Sequence, residues 1–326
     1  MVQKETYFES HDMTELFLYR WMPSGQIESI TQPRAVVHIV HGMAEHALRY
    51  RPLAEKLTKA GIEVWAADQR GFGKTADLNV NTKSNGGLLG HCSDGYSFEK
   101  VIQDIYALNT GIRKTVNVPV FLLGHSWGSL LVQNYMEDFS DKPFPDKPLI
   151  NGCILSGTKG PGDITVKAGL PFLVFLALLR GQRSRSHLVR AMGDGKYNKP
   201  FKPSKTAFDW LSRNEEEVNK YLSDPLCGKL CSIGFYRDIA KMMAYIHKPE
   251  SLEKINKNIP VYVLSGSADP VGDMGAGPTA LVNIYRDLGI KDLEFVLYPG
   301  ARHELFNETN REEVMENILS WINKRC

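Results

Sequence analysis

The chain has 326 residues, 43% of them hydrophobic and 23% charged, with a formal net charge of +2. That length buries a sizeable core, and those proportions exclude a disordered or fibrous chain. A balance so near neutral argues against a nucleic-acid partner, and residues 1–10 are too polar for a signal peptide.

In chain order, residues 15–21 alternate loosely and predict a strand, ended by Pro23-Ser24-Gly25. Ala35–Val40 is an apolar, β-branched run suited to a strand buried on both faces of a parallel sheet. It runs into His41-Gly42-Met43-Ala44-Glu45-His46. Residues 50–60 have helical spacing, with Leu53, Leu57 and Ala60 on one side and Gly61 just past the end. Residues 63–67 predict another strand, ending in the turn Asp68-Gln69-Arg70-Gly71-Phe72-Gly73, which lacks the spacing of a phosphate loop. Phe98, Val101, Ile102, Ile105 and Leu108 mark a helix face. A strand over residues 120–123 follows, then Gly124-His125-Ser126-Trp127-Gly128, then a helix over 129–139. This alternation predicts an α/β fold, a mostly parallel central sheet with helices on both faces.

The pattern G-x-S-x-G between a strand and a helix is a nucleophile elbow. Its sharp turn lifts the Ser126 hydroxyl clear of the backbone and aims the Trp127 N–H at a developing oxyanion. A second N–H is expected from the loop after an early strand, which puts Met43 in that role with Gly42 allowing close approach. Glu45 and His46 are expected to brace this loop by hydrogen bonds rather than to bind a metal.

Residues 150–156 predict a further strand, after which the strand–helix rhythm lapses until about residue 250. It returns with a strand over 261–265, ending in Gly266-Ser267-Ala268-Asp269-Pro270, and a helix over 278–288. The last strand, 294–298, ends in Pro299-Gly300-Ala301-Arg302-His303, and Thr309 with Glu312 suggests a capping box for a terminal helix. In this fold class the order is serine, acid, histidine, each after a strand. Of the histidines after Ser126, only His303 follows a strand in the right place. Asp269 is the matching acid, with Asp273 as the fallback.

With these residues in hand, the chain resembles the monoacylglycerol lipase and lysophospholipase-like branch of the α/β-hydrolases. The likeness is carried by His41-Gly42-Met43-Ala44-Glu45-His46 with Arg49-Tyr50, by Asp68 to Gly73, by Gly124 to Gly128, by Asp224-Pro225-Leu226, by Ser265 to Gly272, and by Tyr298-Pro299-Gly300-Ala301-Arg302-His303-Glu304. The resemblance implies a triad of Ser126, Asp269 and His303, oxyanion donors at Met43 and Trp127, and hydrolysis of glycerol or glycerophospholipid esters without a metal or organic cofactor. It also implies a core of residues 1–157 and 251–326 with a helical cap, 158–250, inserted between them.

Within that cap, residues 168–179 are almost wholly apolar yet too short to span a bilayer. Arg180, Arg183, Arg185, Arg190, Lys196, Lys199, Lys202 and Lys205 follow, with only Asp194 against them locally. An apolar stretch beside cations suits peripheral contact with an anionic lipid surface. The competing function on the same fold is a prolyl-type aminopeptidase, which would need cap acids such as Glu215, Glu216 and Glu217 to hold a free amino terminus. The five cysteines, Cys92, Cys153, Cys227, Cys231 and Cys326, include no C-x-x-C pair and no zinc set, as expected for reduced thiols in a cytosolic protein.

Overall fold

The computed structural model describes residues 1–24, 32–77, 87–144, 147–161 and 164–326. Gly25, the end of the expected turn after the second strand, lies outside the described residues, as do residues 162 and 163 of the expected cap.

An eight-stranded sheet organises the chain. Its strands are β1 (Val2–Glu9), β2 (Glu15–Met22), β3 (Ala35–Val40), β4 (Ile62–Ala67), β5 (Val120–His125), β6 (Gly152–Ser156), β7 (Val261–Gly266) and β8 (Leu293–Tyr298). They lie in the order β1-β2-β4-β3-β5-β6-β7-β8. The pairs β1–β2 and β2–β4 are antiparallel, and the rest are parallel. Every residue of β3, β4 and β5 is buried, which is why these strands read as mostly apolar runs, interrupted by His38 and Glu63, rather than as alternation.

Successive side chains of one strand enter two separate cores. Val36, Val120 and Leu122 pack on one face with Phe98, Ile105, Leu131 and Tyr285. Val37, Phe121 and Leu123 pack on the other with Leu53, Leu57, Ile318 and Trp321. The helices that supply these contacts are α1 (Arg51–Lys59), α2 (Ser97–Thr115), α3 (Trp127–Phe139) and, after a helical insertion between β6 and β7, two near the chain's end. The insertion holds α4 (Ile164–Arg180), α5 (His187–Met192), α6 (Glu215–Ser223) and α7 (Ile233–Tyr245); the two that follow are α8 (Ala276–Asp287) and α9 (Arg311–Asn323).

Three features differ from the expectations. Strand β1 was not foreseen: it pairs along its whole length with β2, but its middle, Lys4 to Tyr7, is exposed. An edge strand facing water carries no apolar signature. The terminal helix is capped differently, because Thr309 donates to Glu308 Oε2 and Asn310 takes the N-cap place. Finally, the cations after α4 are less isolated than the local sequence suggests. Arg183 pairs with Asp94, Arg190 with Asp194 and Lys205 with Glu215.

Helix α4 is apolar on two faces. Leu176 and Ala177 are buried against Val189 and Ile233, whereas Phe175, Leu178 and Leu179 are 60%, 81% and 68% exposed. Four cysteines are buried and Cys326 is exposed, with no disulfide among them. No described helix is long and apolar enough to cross a membrane.

Candidate active site

From β3 the chain crosses to β4 on one side, then returns to β5 on the other. The loops leaving β3 and β5 therefore diverge, and a crevice opens at the carboxyl ends of these two strands. Both sequence motifs singled out above, residues 41–46 and 124–128, lie at that crevice.

Ser126 takes φ 53° and ψ −120°, a left-handed backbone that a non-glycine residue adopts only when its surroundings hold it there. Its N–H donates to Ser156 O at 2.9 Å, and its carbonyl accepts from Ser129 N at 2.9 Å. The flanking glycines are there for close approach. A Cβ on Gly124 would lie 2.3 Å from Gly128 O, and one on Gly128 would lie 2.1 Å from Val40 O. With those two contacts made, the serine is pinned between β5 and α3 and stays half-buried.

The opposing loop is braced by Glu45, as foreseen. Glu45 Oε1 accepts from Gly42 N at 2.5 Å and from Tyr50 Oη at 2.7 Å. A Cβ on Gly42 would sit 3.3 Å from Ser126 Cβ, so the loop lies against the serine. Among the described residues, neither Met43 N–H nor Trp127 N–H donates to a backbone carbonyl.

His303 Nδ1 lies 2.9 Å from Asp269 Oδ2, and both side chains are buried. A carboxylate accepts, so Nδ1 carries the proton and Nε2 is left with its lone pair. Burial alone would lower the His303 pKa; the facing Asp269 charge and hydrogen bond outweigh it and raise it. Asp273 does not reach the histidine: it is exposed and pairs with Lys159 at 3.6 Å. Ser126 and His303 line one cavity of about 270 Å³, with Leu173, Val189, Phe208 and Met243 among its apolar walls. No hydrogen bond joins Ser126 Oγ to His303 Nε2 in this arrangement; such bonds commonly tighten only around substrate.

Several residues that hold the site stand in the motif strings, but the sequence assigned them no role. Arg49 bonds Glu45 at 2.7 Å and both oxygens of Glu304 at 2.6 and 2.7 Å, joining the loop beside Ser126 to the loop of His303. Burial would raise the Glu45 carboxyl, but the Arg49 charge overcomes it and holds the group at about 2. Gln69 donates through Nε2 to His41 O at 2.6 Å and accepts from Trp127 Nε1 at 3.1 Å. Their motif strings were visible in the sequence; their function as links between loops needs the third dimension.

Among the described residues, two donor clusters bear on metal binding. Donor atoms of His46, Asp224 and Cys227 lie within 4.8 Å of one another, but His46 Nε2 is bonded to Asp224 and burial pushes the Cys227 thiol up, away from the thiolate a metal needs. Asp12 and Asp104 in the second cluster are already bound to Arg70. Cys227 and Cys231 are buried and do not line the cavity.

A mostly parallel sheet flanked by helices, with a strained serine at the switch point and a buried histidine–aspartate pair at the carboxyl ends of later strands, is the architecture of an α/β-hydrolase. The chain belongs to the family described as "Serine aminopeptidase, S33", which matches residues 31–310. It is 27% identical over 294 residues to a monoacylglycerol lipase of Mycolicibacterium smegmatis, covering 90% of this chain and 89% of that one. It is 28% identical to a monoglyceride lipase homolog of monkeypox virus, covering 96% of both. Among solved structures, a thermostable carboxyl esterase from Bacillus coagulans in complex with glycerol superposes with a TM-score of 0.85 at 29% identity, over 100% of this chain and 99% of that one. The protein is a hydrolase of the monoacylglycerol lipase-like branch.

Proposed function

We propose that the protein hydrolyses single-chain lipid esters, monoacylglycerols or lysophospholipids, through an acyl-enzyme on Ser126. The observation that carries this reading is the cavity itself: Ser126 and His303 open into a space walled largely by apolar side chains from the helical insertion. An aliphatic chain gains from such walls, and the Met43 and Trp127 N–H groups, with no backbone carbonyl to donate to among the described residues, suit an ester carbonyl beside Ser126.

Ser126 attacks the carbonyl while His303 Nε2 takes its proton. Asp269 holds the imidazole in that tautomer and stabilises the imidazolium. The Met43 and Trp127 N–H groups stabilise the tetrahedral oxyanion. The alcohol leaves with the proton from His303, and water repeats the sequence on the acyl-enzyme. Residues 158–250 act as the cap. The exposed face of α4, with Phe175, Leu178 and Leu179 beside Arg180, gives the cap a surface for contact with a lipid aggregate.

The family's description favours a second reading, an aminopeptidase. Glu215, Glu216 and Glu217 pair with Lys205, Lys220 and Arg311, and none lines the cavity. That leaves the candidate acids spent on surface ion pairs rather than offered to an amino terminus. The test is turnover by wild type and Ser126→Ala on monoacylglycerols of rising chain length, a lysophospholipid and a prolyl anilide. Serine-dependent fatty acid release supports the lipase reading. Anilide cleavage with little ester turnover overturns it in favour of the peptidase.

A further inference from the structure

We infer that Trp210, a residue of the cap, is a positioning residue for His303: its indole lies on the imidazole while its backbone joins the histidine's loop. This rests on the reading of Ser126, Asp269 and His303 as the triad.

The indole and imidazole centroids are 5.2 Å apart with the planes inclined by 39°. Trp210 is 7% exposed and also packs against Tyr197, ring centroids 5.1 Å apart, so the indole is itself held in place. The backbone contacts run alongside. His303 N donates to Trp210 O at 3.4 Å, and Glu304 N donates to Leu211 O at 2.7 Å. Two residues of the cap thus meet two residues of the histidine loop backbone to backbone. The next residues extend the seam. Ser212 Oγ donates to Asn307 O at 2.8 Å, and Arg213 Nε donates to Glu308 Oε2 at 2.9 Å. Glu308 is fully buried and also accepts from Arg302 N at 2.9 Å, so one carboxylate ties the cap to both flanks of His303.

A loop histidine has two freedoms that catalysis must remove, translation of its backbone and rotation of its ring. Asp269 fixes one ring nitrogen, which leaves the ring free to tilt about that hydrogen bond. His125 lies on one side, its ring centroid 4.7 Å from that of His303, and Trp210 on another, so the imidazole is held between two aromatic neighbours. Misplacing a catalytic group by about 1 Å costs up to about 10²-fold in rate. Trp210 also shields the imidazole from water. Burial is the largest influence lowering the His303 pKa, so uncovering the ring lets the pKa rise.

The experiment measures kcat, KM and the acid limb of kcat/KM for p-nitrophenyl butyrate, whose short acyl group makes little use of the acyl cavity. Wild type, Trp210→Ala, Trp210→Leu, Trp210→Phe and a His303→Ala reference are compared. Trp210→Ala is expected to lower kcat about 10-fold with KM within about twofold, and to move the acid limb to higher pH. Trp210→Phe, which keeps a flat ring on the imidazole, is expected to restore most of kcat and the limb. A rise in KM with kcat and the acid limb unchanged would make Trp210 a cavity wall and overturn the proposal. If the alanine variant does not fold, Trp210→Leu decides: wild-type kcat and limb in that variant overturn the proposal, since leucine cannot stack. Retained activity in His303→Ala would instead sink the triad reading, whatever the Trp210 variants do.

Discussion

The floor of the cavity and its roof are built on opposite principles. The floor, formed by the loops after β3, β5, β7 and β8, is polar and buried, and its buried charges are partnered: Glu45 and Glu304 share Arg49, and His303 faces Asp269. The roof helix α4 is apolar over residues 168–179 on both its buried and its outer face and leaves Leu178 and Leu179 in solvent. A buried polar group costs several kcal/mol unless it is satisfied, so the floor has one workable arrangement. Exposed leucines make no directional contacts, so nothing on the outer face of α4 fixes a single position for it. The candidate triad thus sits where geometry is over-determined, and the apolar outer face of α4 where it is not.

The predictions test that contrast from the floor upward. Ser126→Ala should lower ester turnover by about 10⁴-fold or more, read by fatty acid release. Asp269→Asn keeps the shape but reverses the tautomer logic of His303, and should cost about 10⁴-fold in kcat with an unchanged melting curve. Arg49→Met should strike the floor's stability as well as its activity. It strands two buried carboxylates, and a loss of about 3–5 kcal/mol is expected in urea unfolding. A loss below about 1 kcal/mol would mean the floor is not the tightly coupled unit described.

A fourth prediction concerns Glu137 on α3. It is 3% exposed, and among the described residues neither carboxyl oxygen has a partner. Burial first, and Asp138 second, push its pKa up to about 9. The folded state therefore keeps a proton that the unfolded chain loses above its ordinary value of 4.5. Stability from this group is full below that value and falls as pH rises toward 9, by up to about 1.4 kcal/mol per pH unit. Glu137→Gln should flatten that slope and raise the melting temperature at pH 8, while leaving turnover near wild type. An unchanged slope between pH 5 and 8 would show that the carboxyl is ionised or solvated in the native state.

The smallest effect on chemistry belongs to the roof. Leu178→Ser with Leu179→Ser should leave stability within about 0.5 kcal/mol and turnover of a short soluble ester unchanged. Co-sedimentation with anionic vesicles should fall. Equal vesicle binding by the double variant would remove the outer face of α4 from any part in lipid contact.

The sequence made the floor's landmarks legible and hid its bracing. The strands β3 to β7 carry apolar runs because both faces are covered, and Gly124 and Gly128 flank Ser126 because no Cβ fits there. Asp269 could be picked out because it follows such a run, and His303 because it follows β8, an edge strand still readable though only partly buried. Arg49 and Gln69 stand in motif strings and Trp210 in none, and the loops that they join could not be read because Glu304, Trp127 and His303 lie far from them along the chain. The apolar stretch of α4 could not be assigned a buried or exposed face because a uniformly apolar helix has no periodicity to read.

The distribution of thiols has a practical consequence for following this protein in motion. Cys92, Cys153, Cys227 and Cys231 are buried, and burial pushes each thiol up, so none offers a reactive thiolate near neutral pH. Partial burial raises the Cys326 thiol too, but it alone is exposed, so access singles it out. A maleimide fluorophore should therefore mark the wild-type chain at one point beyond α9, on the core. A second dye on an engineered cysteine in α4 would then report the distance between core and roof as lipid is added.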